Sequence, residues 1–532
     1  MKKIDLKSLF YISLVFFIPF FILFIFSFFL IPNRNNLTKE VIAFGMQSFV
    51  FLMIYFLINN KSYKSYFIVI SNFILSLLLM IKLGFYYNFK SKLSSSVLYI
   101  IYETNNTESI EFLSNYISFK LILLYAFIFS FFGYFTRIFI LKKKKSQLIK
   151  NIFALKTNHF IYKILAIVLI TVSVFLIQKK CSDENFIIKS YTSFKEYKMF
   201  KKNFKEVLAL ETNKNITVKS YSKEPQTFVV IIGESTSNWH MQLYNYNRET
   251  NPLLSQIKDE LLIFKNIRTP HVHTIHALEK ILTLIDTKNR PIATENTSII
   301  QLANQANYET YWLSNQRPIG INESIPSLIG NAAKHKYFFN TEDFDTITHD
   351  EVLLPTLDSI LKDNHKKRII FLHLMGTHIQ YENRYPKNFD YFKNPNKLSK
   401  YKYAKAVQTV NQYDNAVRYN DYIVRTVIEK VRAKNLNSFV LYFSDHGDEV
   451  YDTIDWSGHS SGINSEPMFD VPLILWTSNT FKKENPFVID ISTDRKYNLE
   501  HFIHSFGDIT KIHFKGYQKE LSLFNSNTNT NE

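Results

Sequence analysis

The placement of apolar residues constrains this chain more than any other feature. Five apolar runs lie in its first third, at residues 10–31, 41–58, 66–81, 121–141 and 160–177. A helix that rises about 1.5 Å per residue crosses a hydrocarbon layer about 30 Å thick within runs of about this length. A cleaved signal peptide is excluded, because the first run is too long, lacks a small-residue cleavage site and precedes four comparable runs. The sequence therefore predicts five membrane-spanning helices.

The cations between these runs predict their orientation. Three cationic clusters fall on one side of the membrane if the helices simply alternate: Lys2, Lys3 and Lys7; Lys61 and Lys64; and Arg137 with Lys142, Lys143, Lys144 and Lys145. Loops rich in Lys and Arg stay in the cytoplasm, so the amino terminus is expected there. After five crossings, the rest of the chain is expected outside the cytoplasm.

The chain accordingly divides into three predicted parts. Residues 1–178 form a five-span membrane domain with an external loop at 88–119. Residues 179–222, rich in Lys, Asn and Ser, form a linker with interfacial helices, and residues 223–532 form an external domain.

Composition excludes several kinds of site. Cys181 is the single cysteine, which rules out internal disulfides and every cysteine-rich zinc or iron–sulfur site. Any metal must therefore use histidine and carboxylate ligands. The net charge of +17 is spread over loops and membrane flanks without a nucleic-acid-binding motif, so we expect no nucleic-acid partner.

The external domain shows short apolar runs that alternate with helical patterns. Predicted strands lie at 228–232, 311–313, 369–374, 439–443 and 471–475, and predicted helices at 297–306, 353–362 and 403–434. Such alternation is typical of an α/β domain with a mostly parallel sheet covered by helices. Reactive groups in these sheets gather beyond the carboxyl ends of the strands.

Candidate metal ligands follow three of these strands. Glu234 follows the first, His373 and His378 lie in and after the third, and Asp445 and His446 follow the fourth, with His459 close behind. Zinc accepts this mixture of oxygen and imidazole ligands, and a set without thiolate is typical of catalytic sites.

Four sequence blocks carry a family resemblance. They read IIGESTSNWHMQLYNYNRETNP, TPHVHTIHAL, FLHLMGTHIQYENRYP, and YFSDHGDEVYD with WSGHS. In order and spacing they resemble the membrane-bound phosphoethanolamine transferases of Gram-negative envelopes. The catalytic domain of that family belongs to the alkaline phosphatase and sulfatase superfamily, and five spans before an external catalytic domain are also typical of it.

The resemblance implies roles for individual residues. Glu234, Asp445 and His446 would bind one tight zinc ion, with a second ion left open, and Thr274 would be the fourth ligand and the nucleophile. Thr269 and Thr283 remain alternative nucleophiles. A threonine hydroxyl is a weak nucleophile until its alkoxide is stabilised, which coordination to a dication achieves.

Further residues are expected to contact the substrate. His378 and His459 would bind phosphate oxygens, a second metal or the departing group, and one of them would protonate the leaving alcohol. Thr104 and Glu108, four residues apart on the external loop, resemble the donor-binding pair of the family. His271, His273, His276 and Arg317 receive no assigned role.

The implied reaction has two half-steps. Thr274 takes phosphoethanolamine from phosphatidylethanolamine, and an envelope glycan, lipopolysaccharide core or lipid A, then accepts it. The expected location is the bacterial inner membrane, with the catalytic domain in the periplasm. Two alternatives stay open: a glycerol phosphate transferase acting on phosphatidylglycerol, and a non-enzymatic membrane scaffold that binds glycans. Many relatives carry several disulfides that this chain lacks.

Overall fold

The computed structural model describes residues 6–525 except 31–33, 90–91, 104–112, 114–115, 138–159, 223–224, 317–324, 341–347, 364–366, 398 and 487–490. Two compact units are present. One comprises residues 1–102 and 112–197, and the other comprises residues 103–111 and 198–532. We call them the membrane unit and the catalytic unit. The division after residue 197 falls inside the predicted linker.

The membrane unit is helical. Its helices are α1 (Leu6–Leu30), α2 (Arg34–Leu57), α3 (Lys61–Phe89), α4 (Ser95–Glu103), α5 (Phe119–Thr136), α6 (Phe160–Lys180) and α7 (Phe186–Val207), the last of which continues into the catalytic unit. Many large apolar side chains on these helices are exposed, as at Phe29 and Ile161, which is favourable in hydrocarbon and costly in water.

Four helices in the described part of the chain are long and apolar enough to cross a membrane. They are Leu9–Leu30, Leu37–Leu57, Lys61–Phe89 and Phe160–Lys180. The count differs from the predicted five because the apolar run at 121–141 is described only as far as residue 137. The shorter apolar helix Phe119–Tyr134 represents it, and residues 138–159 lie outside the described residues.

The catalytic unit contains several β-strands, seven of which form one large sheet. The strands are β1 (Val218–Ser220), β2 (Gln226–Gly233), β3 (Leu261–Phe264), β4 (Asn266–Arg268), β5 (Glu309–Ser314), β6 (His335–Phe338), β7 (Lys367–His373), β8 (Ser438–Ser444), β9 (Glu449–Val450), β10 (Ser457–Gly458), β11 (Leu473–Thr477), β12 (Lys496–Asn498) and β13 (Ile512–Phe514). The sheet order is β3, β11, β8, β2, β7, β5, β6, and only β11 runs against the others. The prediction of a mostly parallel sheet is confirmed.

Helices cover both faces of this sheet. They are α8 (Pro252–Ser255), α9 (Thr274–Leu282), α10 (Ile299–Gln305), α11 (Ile325–Gly330), α12 (Leu354–Lys362), α13 (Ala404–Arg432), α14 (Asn479–Glu484) and α15 (Phe502–Thr510). Successive residues of β2 enter different cores: Phe228 and Val230 pack with α9 and α15, whereas Val229 and Ile231 pack with α13. A strand buried on both faces reads as a continuous apolar run, which is why FVVII marked β2 in the sequence.

Candidate metal centre

The carboxyl ends of β2 and β8 bring two carboxylates together. These strands are neighbours, and Gly233 pairs with Ser444, so Glu234 and Asp445 leave the sheet side by side. Ligand atoms of Glu234, Asp445 and His446 all lie within 4.8 Å of one another. The three side chains are completely shielded from solvent or nearly so. The structure thus joins Glu234 from one sequence block with Asp445 and His446 from another.

Backbone groups hold one oxygen of Asp445 and leave the other bare. The Oδ1 atom accepts hydrogen bonds from the backbone N–H groups of Ser235, at 3.1 Å, and His446, at 2.7 Å. Ser235 takes the left-handed conformation, with φ of 58°, to present its N–H. The buried Oδ2 atom has no hydrogen-bond partner within the described residues. A buried, unpaired carboxylate oxygen is costly unless it binds a cation.

His446 presents its Nε2 atom to the same space. Its Nδ1 atom lies 3.1 Å from the carbonyl of Gly447 and donates to it, which leaves Nε2 facing the carboxylates. Nε2 lies 3.2 Å from Glu234 Oε1 and 3.5 Å from Asp445 Oδ2. This tautomer and orientation suit a metal-ligating imidazole.

Thr274 is the first residue of α9, and its hydroxyl reaches this cluster. Thr274 Oγ1 lies 3.1 and 3.3 Å from the two oxygens of Glu234 and 3.3 Å from His446 Nε2. The two other candidate hydroxyls bind main-chain carbonyls instead: Thr269 donates to Asp445, and Thr283 donates to Glu279. Of the three threonines, Thr274 is therefore the one whose hydroxyl faces the candidate ligands.

Electrostatics show that the cluster needs positive charge. Burial and the charge of Glu234 raise the pKa of Asp445 well above its usual range. Burial alone would lower the pKa of His446, but the charge of Asp445 and the hydrogen bond to Glu234 raise it to about 10. Without a metal, protons must supply the charge that a dication would bring. The oxygen and nitrogen donor set, together with the bare Asp445 oxygen, fits zinc.

A second group of ligand types adjoins the first. His446, Asp448 and His459 also offer atoms within 4.8 Å of one another. His459 Nδ1 lies 2.7 Å from Asp448 Oδ1, and the His459 ring centre lies 4.3 Å from that of His446. Asp448 also accepts the hydroxyl of Tyr381 at 2.7 Å. Sequence reasoning missed Asp448, although it stands two residues after His446 in DHGDE.

His378 lies close enough to Glu234 for the two charges to interact. Burial lowers its pKa to about 4, although the charge of Glu234 opposes the shift. Its ring is thus neutral near pH 7 and can donate one hydrogen bond. His373, which the sequence placed within the third predicted strand, is the buried last residue of β7, and its Nδ1 contacts Ser314 Oγ at 3.1 Å.

Gly376 allows the loop after β7 to approach Glu234 closely. It has φ of +56°, and a Cβ atom there would lie 2.7 Å from the Glu234 carbonyl oxygen and 2.8 Å from its nitrogen. A larger residue would push the loop that carries His378 away from Glu234.

The remaining predicted residues have different outcomes. His271, His273 and His276 form a ring cluster beside Thr274, and both His273 nitrogens are buried without a hydrogen-bond partner in the described part of the chain. Gln316, which the sequence did not indicate, donates to Glu234 Oε2 at 3.2 Å. The predicted Thr104 and Glu108, and Arg317, lie outside the described residues.

A second buried histidine lies between two carboxylates nearby. His240 Nδ1 lies 2.6 Å from Asp414, and its Nε2 lies 3.1 Å from Asp452. Asp414 also accepts hydrogen bonds from Arg248 at 2.7 Å and Tyr246 at 3.0 Å. We call these five residues the His240 cluster. Periodicity arguments do not reveal it, because its members come from three distant segments.

Comparison with known proteins places these observations in a family. The sulfatase family model matches residues 226–512. Phosphoethanolamine transferase EptC of Escherichia coli (strain K12) is 30% identical over 462 residues, which are 83% of this chain and 79% of that protein. The crystal structure of the periplasmic domain of Escherichia coli EptC in complex with zinc has a TM-score of 0.56 and 33% identity, and covers 59% of this chain and 90% of that one.

A full-length neighbour supports the two-part architecture. The integral membrane lipooligosaccharide phosphoethanolamine transferase A of Neisseria meningitidis has a TM-score of 0.65 at 20% identity, over 97% of each chain. At this identity the match establishes the fold alone. It extends the similarity beyond the catalytic unit to the apolar amino-terminal helices.

Proposed function

The chain belongs to the phosphoethanolamine transferases of the sulfatase family, and from that premise we propose that it moves phosphoethanolamine from phosphatidylethanolamine to an envelope glycan through Thr274. One observation carries the proposal. The Thr274 hydroxyl lies within 3.3 Å of both Glu234 and His446, which share a buried cluster with Asp445. A hydroxyl placed at a metal-ligand cluster is suited to nucleophilic attack.

Glu234, Asp445 and His446 would hold zinc, with Thr274 as the fourth ligand. When bound, the dication supplies the charge that stabilises the Thr274 alkoxide and the negative phosphoryl oxygens. Hydrogen bonds to the backbone orient two of the three ligands, because N–H groups fix Asp445 and the Gly447 carbonyl fixes the His446 ring.

In the first half-step, Thr274 attacks the phosphorus of the donor lipid. The bond between Thr274 Oγ1 and phosphorus forms as the bond between phosphorus and the diacylglycerol oxygen breaks. The threonine proton is lost, and one proton must reach the departing diacylglycerol oxygen. The reaction leaves phosphoethanolamine esterified to Thr274.

His459 and His378 have different proposed tasks. We assign proton transfer at the leaving oxygen to His459, because Asp448 at 2.7 Å orients its ring and stabilises the imidazolium. His378, whose pKa is lowered to about 4 by burial, stays neutral and donates a hydrogen bond to a phosphoryl oxygen.

In the second half-step, an acceptor hydroxyl or phosphate oxygen attacks the same phosphorus. The Thr274 Oγ1–phosphorus bond breaks, and a proton returns to the threonine. We propose a lipopolysaccharide core sugar or lipid A as acceptor. The lipid donor explains the apolar helices, because the catalytic unit must work at the outer surface of the inner membrane, in the periplasm.

The central test is the covalent intermediate. The full-length protein is incubated with phosphatidylethanolamine and no acceptor, and its peptides are analysed by mass spectrometry. We expect a phosphoethanolamine increment on the peptide that contains Thr274 and none in Thr274→Ala. Thr283→Ala serves as the control, because its hydroxyl binds a backbone carbonyl and not the cluster.

Donor choice separates the competing functions. Phosphatidylglycerol presented in the same way should leave no glycerol phosphate on Thr274. An adduct from phosphatidylglycerol alone would favour the glycerol phosphate transferase. Glycan binding without any adduct from either lipid would favour the scaffold and contradict the proposal.

A further inference from the structure

A cavity of about 450 Å³ lies beside the His240 cluster in the catalytic unit. Nearly all of its wall comes from residues 238–240 and 244–247, from Asn396, Ser399 and Lys400, and from residues 450–452. Its volume is in the range of small-molecule sites in proteins. None of the steps described above uses it.

The wall combines amide groups with aromatic faces. Asn245, Asn247 and Asn396 contribute amides, which both donate and accept hydrogen bonds. Asn247 is exposed, and its amide lies 2.7 Å from that of Asn396. Trp239, with 40% of its surface exposed, and Tyr246 contribute aromatic surface. This wall suits a ligand that carries many hydroxyl groups on an apolar ring frame, because amides bind hydroxyls and aromatic faces cover C–H groups.

The charges around the cavity also limit the ligand. The His240 imidazolium and the Arg248 guanidinium balance the carboxylates of Asp414 and Asp452, so the floor is electrically neutral. Lys400 is exposed at the wall and adds one positive charge. A neutral ring with an attached anionic group matches this arrangement better than a cation.

The cavity is built on the same loops as the metal centre. Asn238 stands four residues after Glu234, and Val450 stands four residues after His446. The short strand β9, which contains Val450, pairs with β10, and β10 leads directly to His459. The Tyr413 hydroxyl donates to the Ser235 carbonyl, while the Tyr413 ring packs on His240 with centres 4.9 Å apart. The cavity wall is thus connected to the candidate metal centre through β9 and β10 and through Tyr413.

Two residues of the cavity wall have a left-handed backbone conformation. Tyr451, a cavity residue, has φ of 61°, and Asn245 has φ of 71°. The left-handed backbone conformation is unfavourable for a bulky residue such as Tyr451 and persists only where surrounding contacts enforce it. Such positions cluster at functional sites.

We infer that this cavity binds a sugar residue of the acceptor glycan and holds the glycan while a neighbouring hydroxyl or phosphate reaches Thr274. The inference rests on the proposed function, since it names where that reaction's acceptor binds. It assigns Trp239 and Asn247 to acceptor recognition rather than to catalysis.

Binding is tested in a full-length protein that cannot transfer. Deacylated lipopolysaccharide is titrated into Thr274→Ala in detergent, and heat and tryptophan fluorescence are recorded. We expect saturable binding with a fluorescence change that Trp239→Phe removes. Asn247→Ala should raise the dissociation constant by roughly tenfold, as for the loss of one or two hydrogen bonds.

A matched amide serves as the control. Asn266 is exposed like Asn247 but lies outside the cavity wall, where it donates to the Asp494 carbonyl. Asn266→Ala should leave the dissociation constant within about twofold, since surface amides contribute little. Melting curves of each variant verify that the fold is intact.

Three results would overturn the inference. The first is no saturable binding, and the second is an equal effect of Asn247→Ala and Asn266→Ala on the dissociation constant. The third is saturation of the fluorescence change by phosphoethanolamine alone, which would assign the cavity to the donor. Failure of the transfer chemistry is distinguishable. The titration uses an inert variant, whereas diacylglycerol release by the unmodified protein without acceptor reports the first half-step, and Asn266→Ala should release diacylglycerol at the same rate.

Discussion

Two buried histidines of the catalytic unit invite comparison. His240 and His446 each lie between two carboxylates, and both rings are almost completely shielded from solvent. For each, burial alone would lower the pKa, but carboxylate charges raise it to about 10. By residue type and pKa alone the two sites look alike.

Their hydrogen bonds distinguish them. Both nitrogens of His240 bind carboxylates, and Arg248 and Tyr246 satisfy the second oxygen of Asp414. In the other cluster, no guanidinium is paired with the carboxylates among the described residues, and Asp445 Oδ2 has no partner there. The His240 cluster is electrically closed, whereas the His446 cluster lacks positive charge.

Unsatisfied ligand atoms distinguish a candidate metal site from a structural ion cluster. A closed cluster has already compensated the desolvation of its charges and gains little from a cation. An open cluster has an unsatisfied acceptor facing a shared space, and a metal removes that penalty. Unsatisfied ligand atoms are therefore more informative than the number of ligand-type residues.

Zinc binding should separate the two clusters most strongly. Asp445→Asn should lower zinc affinity by at least about 100-fold and transfer by at least about 1,000-fold, because it removes a charged ligand. Asp414→Asn should keep one zinc per chain. Metal analysis after dialysis against a graded chelator measures both. Equal zinc loss in the two variants would contradict the distinction between open and closed clusters.

Stability should respond in the opposite sense. Asp414→Asn leaves Arg248 and His240 without their shared buried carboxylate, so unfolding should become easier by about 3–5 kcal/mol. In zinc-free protein, Asp445→Asn relieves repulsion with Glu234 and should cause no loss. Thermal unfolding of both variants after chelation provides the measurement. A large loss from Asp445→Asn without metal would show that this carboxylate is structural.

The pH dependence of the free energy of unfolding should also distinguish His240 from His446. A folded-state pKa of about 10 for His240, against 6.5 for an ordinary histidine, gives stability that is complete below pH 6.5 and is lost as pH rises through about 10. The slope should be about 1.4 kcal/mol per pH unit over that window. His446 should add a second slope of the same sign only in zinc-free protein, since metal replaces its proton. Unfolding midpoints at several pH values, with and without zinc, test this, and identical profiles would refute it.

The smallest effect is expected at Asp448, which contacts His459 beside the open cluster. Asp448→Asn should reduce transfer by about 10-fold through loss of ring orientation, while zinc content stays the same. Asp455→Asn is the matched control, because that carboxylate accepts only an exposed tyrosine hydroxyl in the described structure, that of Tyr403. Steady-state rates with saturating donor distinguish the two. An unchanged rate in Asp448→Asn would remove His459 from the proton-transfer step.

Most of the sheet was predictable from sequence because its inner strands are buried on both faces. The runs at 228–232 and 439–443 correspond to β2 and β8, and the predicted helix at 403–434 corresponds to α13. The short edge strands β3 and β6 were missed. β6 reads HKYF and is half-exposed, whereas β3 reads LLIF, an apolar run of only four residues, so neither run differs by period or length from other short segments.

The site was predictable where chemistry follows a strand directly. Glu234, Asp445 and His446 came from strand ends, and the resemblance added Thr274, which stands at the start of α9 and not after a sheet strand. Asp448, Gln316 and the His240 cluster were missed because their partners are distant in sequence. Asp448 contacts His459 across 11 residues, Gln316 contacts Glu234 across 82, and His240 contacts Asp414 across 174. Contacts across such distances depend on tertiary packing that no local pattern records.

The pairing of β2 with β8 has a consequence for biogenesis. These central neighbours are separated by some two hundred residues of chain, as the contact between Ser235 and Asp445 spans 210 positions. Closing so long a loop is slow and waits for the later strand to be synthesised. The candidate ligands Glu234 and Asp445 therefore come together only after most of the polypeptide has been synthesised, so the cluster forms late in the production of the chain.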